Sequence, residues 1–95
     1  MGIQYVGTGR LGTTQSAAYS STAGTIANPV GSHTYKVRVV CTSDAFVRVD
    51  DNPTATISDA FLPGGAPEYF TITPGMKVSA VQSAAAGTLY VTEIS

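Results

Sequence analysis

The residue types that most often carry out catalysis or bind metals are scarce in this chain. There is one histidine, His33, and one cysteine, Cys41, among 95 residues. A catalytic histidine acts on a neighbouring nucleophile and is oriented by a third group, and no serine here lies in a Gly-x-Ser-x-Gly elbow. We expect His33 to be an exposed or capping residue. Cys41 alternates with valines, so we expect it to pack as a small buried hydrophobic residue.

Two short motifs resemble ligand sites but lack parts that such sites need. Asp50-Asp51-Asn52 offers oxygen ligands suited to calcium, yet no glycine and bidentate glutamate follow at the spacing of an EF-hand. The run 7–12 matches Gly-x-Gly-x-x-Gly, yet no helical pattern follows it and no acidic residue stands about twenty positions further on. We therefore predict no metal, no cofactor and no small-molecule substrate, and we expect that the protein is not an enzyme.

The charges are few and nearly balanced, with five Lys and Arg against six Asp and Glu and a net charge of −1. Surfaces that bind nucleic acid neutralise phosphates with clustered basic residues, and here the basic residues are scattered along the chain. No apolar stretch approaches the length of about 20 residues that crosses a bilayer. We expect neither nucleic acid nor a membrane as a partner, and binding to other proteins is the favoured role.

From Thr34 onward, apolar and polar residues alternate with the period of two that is typical of β-strands. One face of the segment 34–42 carries Tyr35, Val37, Val39 and Cys41. The same alternation marks the segments 45–50, 68–73, 76–82 and 89–94. Turn residues separate such segments at intervals of about 8–12 residues. The pattern predicts an all-β fold, either a compact antiparallel β-sandwich of jelly-roll or immunoglobulin-like type or a small barrel. Because only Ser43-Asp44 separates the first two strands, we expect a hairpin there.

The first third of the chain is rich in Gly, Ser and Thr and shows no sustained period. Its composition predicts an extended N-terminal arm over residues 1–33, followed by a β-sandwich domain over residues 34–95. The arm is either a loose tail or a segment that orders against a partner, with Tyr5, Leu11 and Tyr19 as apolar anchors. On this division, deleting residues 1–33 weakens binding but leaves the domain folded.

Aromatic residues also stand on the polar faces of the predicted strands. Tyr69 and Tyr90 alternate with the inward residues of their segments, and so does Phe46. Two interpretations follow: the rings are exposed and contact a partner, or they pack against the arm. The candidate partner-binding residues are therefore Tyr5, Leu11, Tyr19, Tyr69 and Tyr90.

The second part of the chain contains five runs of turn and strand residues: Asp-Asn-Pro-Thr-Ala-Thr (51–56), Phe-Leu-Pro (61–63), Pro-Glu-Tyr-Phe (67–70), Pro-Gly-Met-Lys-Val (74–78) and Gly-Thr-Leu-Tyr-Val-Thr-Glu (87–93). In the order of these runs, roughly residues 34–94 resemble small β-rich proteins encoded among the head genes of tailed bacteriophages. These runs are turn and strand residues and transfer no site.

This resemblance implies a structural protein of the virion, of the type that decorates or cements the capsid. The implied partners are the major capsid protein or other virion proteins, the implied location is the virion, and the implied state is a homo-oligomer. The alternative is a tail or fibre component, or a carbohydrate-binding module involved in host attachment.

Overall fold

The computed structural model describes residues 11–94, and every regular element in this range is a β-strand. In chain order the strands are β1 (Leu11–Tyr19), β2 (Gly24–Thr25), β3 (Lys36–Cys41), β4 (Ala45–Asp50), β5 (Ala60–Leu62), β6 (Glu68–Thr71), β7 (Lys77–Gln82) and β8 (Gly87–Ile94). They form two four-stranded sheets, sheet I in the order β1-β8-β3-β6 and sheet II in the order β2-β7-β4-β5. All neighbouring strands are antiparallel. The predicted all-β sandwich is confirmed.

The order of the strands is that of a jelly roll. β1 pairs with β8, β2 with β7, β3 with β6 and β4 with β5, so the chain folds back on itself as one long antiparallel ribbon. The pairs β3–β8 and β4–β7 then join successive parts of the ribbon within each sheet. Eight strands wound in this way form a jelly roll, which decides among the sandwich and barrel types that the sequence left open.

The predicted hairpin between the first two strong strands is wrong. β3 lies in sheet I and β4 lies in sheet II, so residues 42–44 carry the chain across the sandwich. Facing sheets lie about 10 Å apart, a distance that a few extended residues span. Alternation predicts which side chains point to the core, and it does so correctly for both strands. Alternation does not specify which strand pairs with which. Among the described strands, only β4 and β5 are consecutive in the chain and also paired with each other.

The hydrophobic core lies between the sheets and consists of the side chains that alternation directs inward. Completely buried members include Val37, Val39, Cys41, Ala45, Leu62, Val78 and Leu89. Tyr35, which the pattern assigns to the same face as Val37, precedes β3 and is 64% exposed. Within residues 11–94, every buried side-chain nitrogen or oxygen has a hydrogen-bond partner. The sandwich therefore combines an apolar core with fully satisfied polar groups, as folded proteins generally do.

Residues 11–33 belong to the sandwich, so the predicted division into an arm and a separate domain is wrong for this stretch. β1 is the longest strand and pairs with β8 along its length. Tyr19, Ile26 and Val30 are at most 3% exposed and pack in the core. Residues 1–10 lie outside the described residues. The structure thus predicts that deleting residues 1–33 unfolds the protein, contrary to the expectation from composition.

Two features fix the course of the chain from β1 to the segment that follows β2. A Cβ atom added to Gly24 would lie 2.0 Å from the Ala18 carbonyl oxygen, so only glycine fits at this position. The Gln15 side-chain amide donates to the Asn28 carbonyl oxygen at 2.9 Å, and its oxygen accepts from the Asn28 N–H at 3.0 Å. The Gln15 side chain therefore pairs with both backbone groups of Asn28, as a residue of a neighbouring strand would.

The loop of residues 51–59 lies across part of the outer face of sheet II. The Ala55 N–H donates to Ser79 Oγ at 3.0 Å, and Thr25 Oγ1 donates to the Pro53 carbonyl oxygen at 3.1 Å. Ser79 and Val81 alternate with the core residues of β7, yet both are buried. The loop accounts for the burial of Ser79, so β7 is covered on both faces.

Candidate interaction surface

The outer face of sheet I brings together side chains from four strands. Directly opposite residues of antiparallel strands share a face, so the register identifies its members. Tyr69 lies opposite Arg38, and Tyr90 lies opposite Val40. We call this surface the tyrosine face and define it by Leu11, Thr14, Ser16, Lys36, Arg38, Val40, Tyr69, Thr71, Tyr90, Thr92 and Ile94.

Two tyrosines flank the central strand of the tyrosine face. Tyr69 on β6 is 46% exposed and Tyr90 on β8 is 40% exposed, while β3 runs between them. From the strand spacing and the two-residue offset, their Cα atoms lie about 12 Å apart. Arg38 and Val40 occupy the intervening positions on β3 and are both half-buried. The surface therefore offers two phenol rings with a cation and an apolar side chain between them.

Among the described residues, the two charged side chains on the tyrosine face are both positive. Lys36 and Arg38 point outward from β3, since Val37 and Val39 point to the core. The carboxylates of the described residues lie elsewhere. Asp44, Asp51 and Asp59 are in loops, and Asp50 is in β4 of sheet II. Glu68 and Glu93 lie opposite the core-facing residues Val39 and Val37. Arg38 forms no ion pair with any of them. The net charge of the chain is −1, so this face has the opposite sign to the molecule as a whole.

On the outer face of sheet II, in contrast, an arginine lies close to carboxylates. Arg48 on β4 lies 3.4 Å from a carboxylate oxygen of Asp50 and 3.4 Å from one of Asp59. The Thr56 N–H donates to Asp59 at 2.7 Å and, with Arg48, holds the pKa of that carboxyl below its ordinary value. Arg48 thus has acidic neighbours on its own sheet, whereas Arg38 has no carboxylate partner among residues 11–94. Arg48 therefore serves as a matched control for Arg38 when the two side chains are compared as binding groups.

The structure separates the five predicted partner-binding residues into three groups. Leu11, Tyr69 and Tyr90 are exposed and share the tyrosine face. Tyr5 lies outside the described residues. Tyr19 is 3% exposed, and its hydroxyl donates to the Ser43 carbonyl oxygen and accepts from the Ser43 N–H. The assignment of Tyr19 to a partner surface is therefore wrong, because its ring fills the core and its hydroxyl is engaged inside the protein.

Arg38 is not among the contact residues that the sequence pattern predicted. The alternation of β3 does place Arg38 outward, and that was the available signal. Its position beside Tyr69 depends on the pairing of β3 with β6, which the sequence pattern does not specify. The composition of this candidate surface thus depends on strand register more than on residue type.

The residues considered for catalysis and metal binding do not converge. Among residues 11–94, no three His, Cys, Asp or Glu side chains lie close enough to hold a metal ion. His33 is exposed. Cys41 is completely buried, and its burial raises the pKa of the thiol to about 11. A thiol with such a pKa is almost entirely protonated at neutral pH and is a poor nucleophile.

The part of the chain that the structure describes has no helix long and apolar enough to cross a bilayer.

Comparison with known proteins adds no relative. No family model, no curated protein sequence and no solved structure matches this chain.

Proposed function

We propose that this chain is a structural protein of a bacteriophage virion that decorates or cements the capsid, and that it binds capsid subunits through the tyrosine face. The observation that carries the proposal is the exposure of Tyr69 and Tyr90 on either side of Arg38. Protein interfaces are enriched in tyrosine and arginine, and truncating these residues costs the most binding energy. The resemblance of residues 34–94 to phage head proteins supports the choice of particle.

The size of the tyrosine face bears on the binding mechanism. Four strands with six-residue segments cover roughly 20 Å by 20 Å, or about 400 Å² in plan. A stable interface buries about 800 Å² on each partner, so one copy using this face alone binds weakly. A symmetric shell presents many equivalent sites, and a homo-oligomer engages several of them at once. The gain in avidity then reaches about 10²- to 10⁴-fold without any new contact.

Co-sedimentation tests this proposal directly. The purified full-length chain is mixed with undecorated tailed-phage capsids and pelleted, and light scattering gives the mass of the free protein and of the decorated particle. We expect saturable binding at a fixed ratio to the capsid subunits, and capsids that already carry the protein should bind no more. A stable oligomer that leaves the capsids unbound would reject the capsid role and favour a tail or fibre location.

A carbohydrate-binding role is the second candidate, because two exposed tyrosines on one sheet face could also stack on sugar rings. The chain contains no tryptophan, the residue that sugar-binding platforms use most, and this counts against it. A glycan array probed with the labelled protein distinguishes the two roles. Binding of a defined glycan that is lost on Tyr69→Ala would favour attachment to a host surface.

A further inference from the structure

We infer that the tyrosine face recognises a carboxylate on its partner, and that Arg38 is the residue that binds it. This inference rests on the proposed function, which makes the partner a protein surface, and it adds the chemistry of the recognised group. The partner group is the side chain of an aspartate or glutamate exposed on a capsid subunit.

The first argument is charge complementarity. The tyrosine face carries Lys36 and Arg38, and the carboxylates of residues 11–94 all lie elsewhere in the structure. A partner with acidic residues is attracted to this face, while basic partners are repelled. Complementary potentials of this kind fix orientation and suppress wrong partners more than they raise affinity.

The second argument comes from comparing the two outward arginines. Arg48 has two carboxylates at 3.4 Å on its own sheet, whereas Arg38 has none within the described residues. The guanidinium group presents a fork of N–H donors that matches a carboxylate in a bidentate geometry. The Arg48 guanidinium group meets carboxylates of the chain itself. The Arg38 guanidinium group is available to bind a carboxylate of a partner.

The third argument is the position of the aromatic residues. Tyr69 lies directly opposite Arg38, where cross-strand Cβ atoms are about 5 Å apart, and Tyr90 lies on the diagonal at about 7–8 Å. Two rings that exclude water around an arginine lower the local dielectric and strengthen its interaction with a carboxylate. Each phenol hydroxyl also supplies a further donor for a carboxylate oxygen.

The test uses the full-length protein labelled with ¹⁵N and two synthetic peptides, one with alternating glutamate and valine and one with glutamine in place of glutamate. We expect the glutamate peptide to shift amide resonances on β3, β6 and β8, with Tyr69 and Tyr90 among them. The glutamine peptide should produce at most a tenth of these shifts. Arg38→Gln should abolish the effect, Arg38→Lys should retain part of it, and the matched control Arg48→Gln should leave it unchanged.

Several results would overturn the inference. They are equal shifts with both peptides, no shift with either, or shifts confined to sheet II. Shifts caused by sialyllactose but not by the glutamate peptide would also overturn it, in favour of an acidic glycan. A dispersed spectrum of the Arg38→Gln variant shows that its fold is intact. Because no capsid is present, failure here is distinct from failure of capsid co-sedimentation, which would reject the proposed function instead.

Discussion

Replacing Ile26 by alanine tests whether the early part of the chain belongs to the folded core. Ile26 is 1% exposed and belongs to the hydrophobic core, whose members come from both sheets. Truncation of a buried isoleucine to alanine costs about 2–5 kcal/mol, from lost burial and from the cavity left behind. A domain of this length is stable by about 5–15 kcal/mol, so Ile26→Ala should remove a large fraction of the free energy of unfolding.

Ile57→Ala is the matched control, since it makes the same chemical change at a site that is 74% exposed. Surface substitutions of this kind usually change stability by less than about 0.5 kcal/mol. Urea unfolding followed by circular dichroism measures both variants. With a denaturant slope of about 1.5 kcal/mol/M, a loss of 3 kcal/mol lowers the midpoint by about 2 M. Equal midpoints for Ile26→Ala and the wild type would refute the assignment of residues 11–33 to the sandwich.

Three further predictions concern single positions. Gly24→Ala should destabilise the protein strongly in thermal unfolding, because its Cβ would meet the Ala18 carbonyl oxygen at 2.0 Å; an unchanged melting temperature would contradict that close approach. The Cys41 thiol, with its pKa raised to about 11, should react with Ellman's reagent at pH 8 about a hundredfold more slowly in the native than in the urea-unfolded protein. The pKa of Asp59 is lowered, chiefly by the N–H of Thr56. Its contribution to stability is therefore present above the ordinary pKa of 3.8 and is lost as the pH falls through the lower folded value. In Asp59→Asn, the unfolding midpoint should therefore depend less on pH in this acidic range than it does in the wild type.

Much of the strand pattern was predictable because burial on one face leaves a period of two in the sequence. β3 shows this most clearly, with Val37, Val39 and Cys41 inward and Lys36 and Arg38 outward. β1 was missed because its inward residues include Gln15 and Ala17, which give no hydrophobic alternation. Its stability as a strand comes from pairing with β8, and that is a tertiary effect.

Pairing between distant strands was the part that the sequence did not determine. In a jelly roll most consecutive strands lie in different sheets, so a short connection is no guide to neighbours. The same difficulty affected the candidate site. Alternation correctly predicted outward positions for Tyr69 and Tyr90, and both are exposed. It did not show that Arg38 lies between them, because this follows only from the register of β3 with β6 and β8.

The most direct test of the proposed role is a comparison of two variants in capsid co-sedimentation. Tyr90→Ser changes an exposed aromatic residue on the tyrosine face, and Phe61→Ser changes one on sheet II that is 52% exposed. Both variants should remain folded by circular dichroism. We predict that Tyr90→Ser raises the Kd for capsids at least tenfold, as expected for a central interface tyrosine, while Phe61→Ser changes it less than twofold. Wild-type affinity for Tyr90→Ser, or a larger loss for Phe61→Ser, would contradict binding through the tyrosine face.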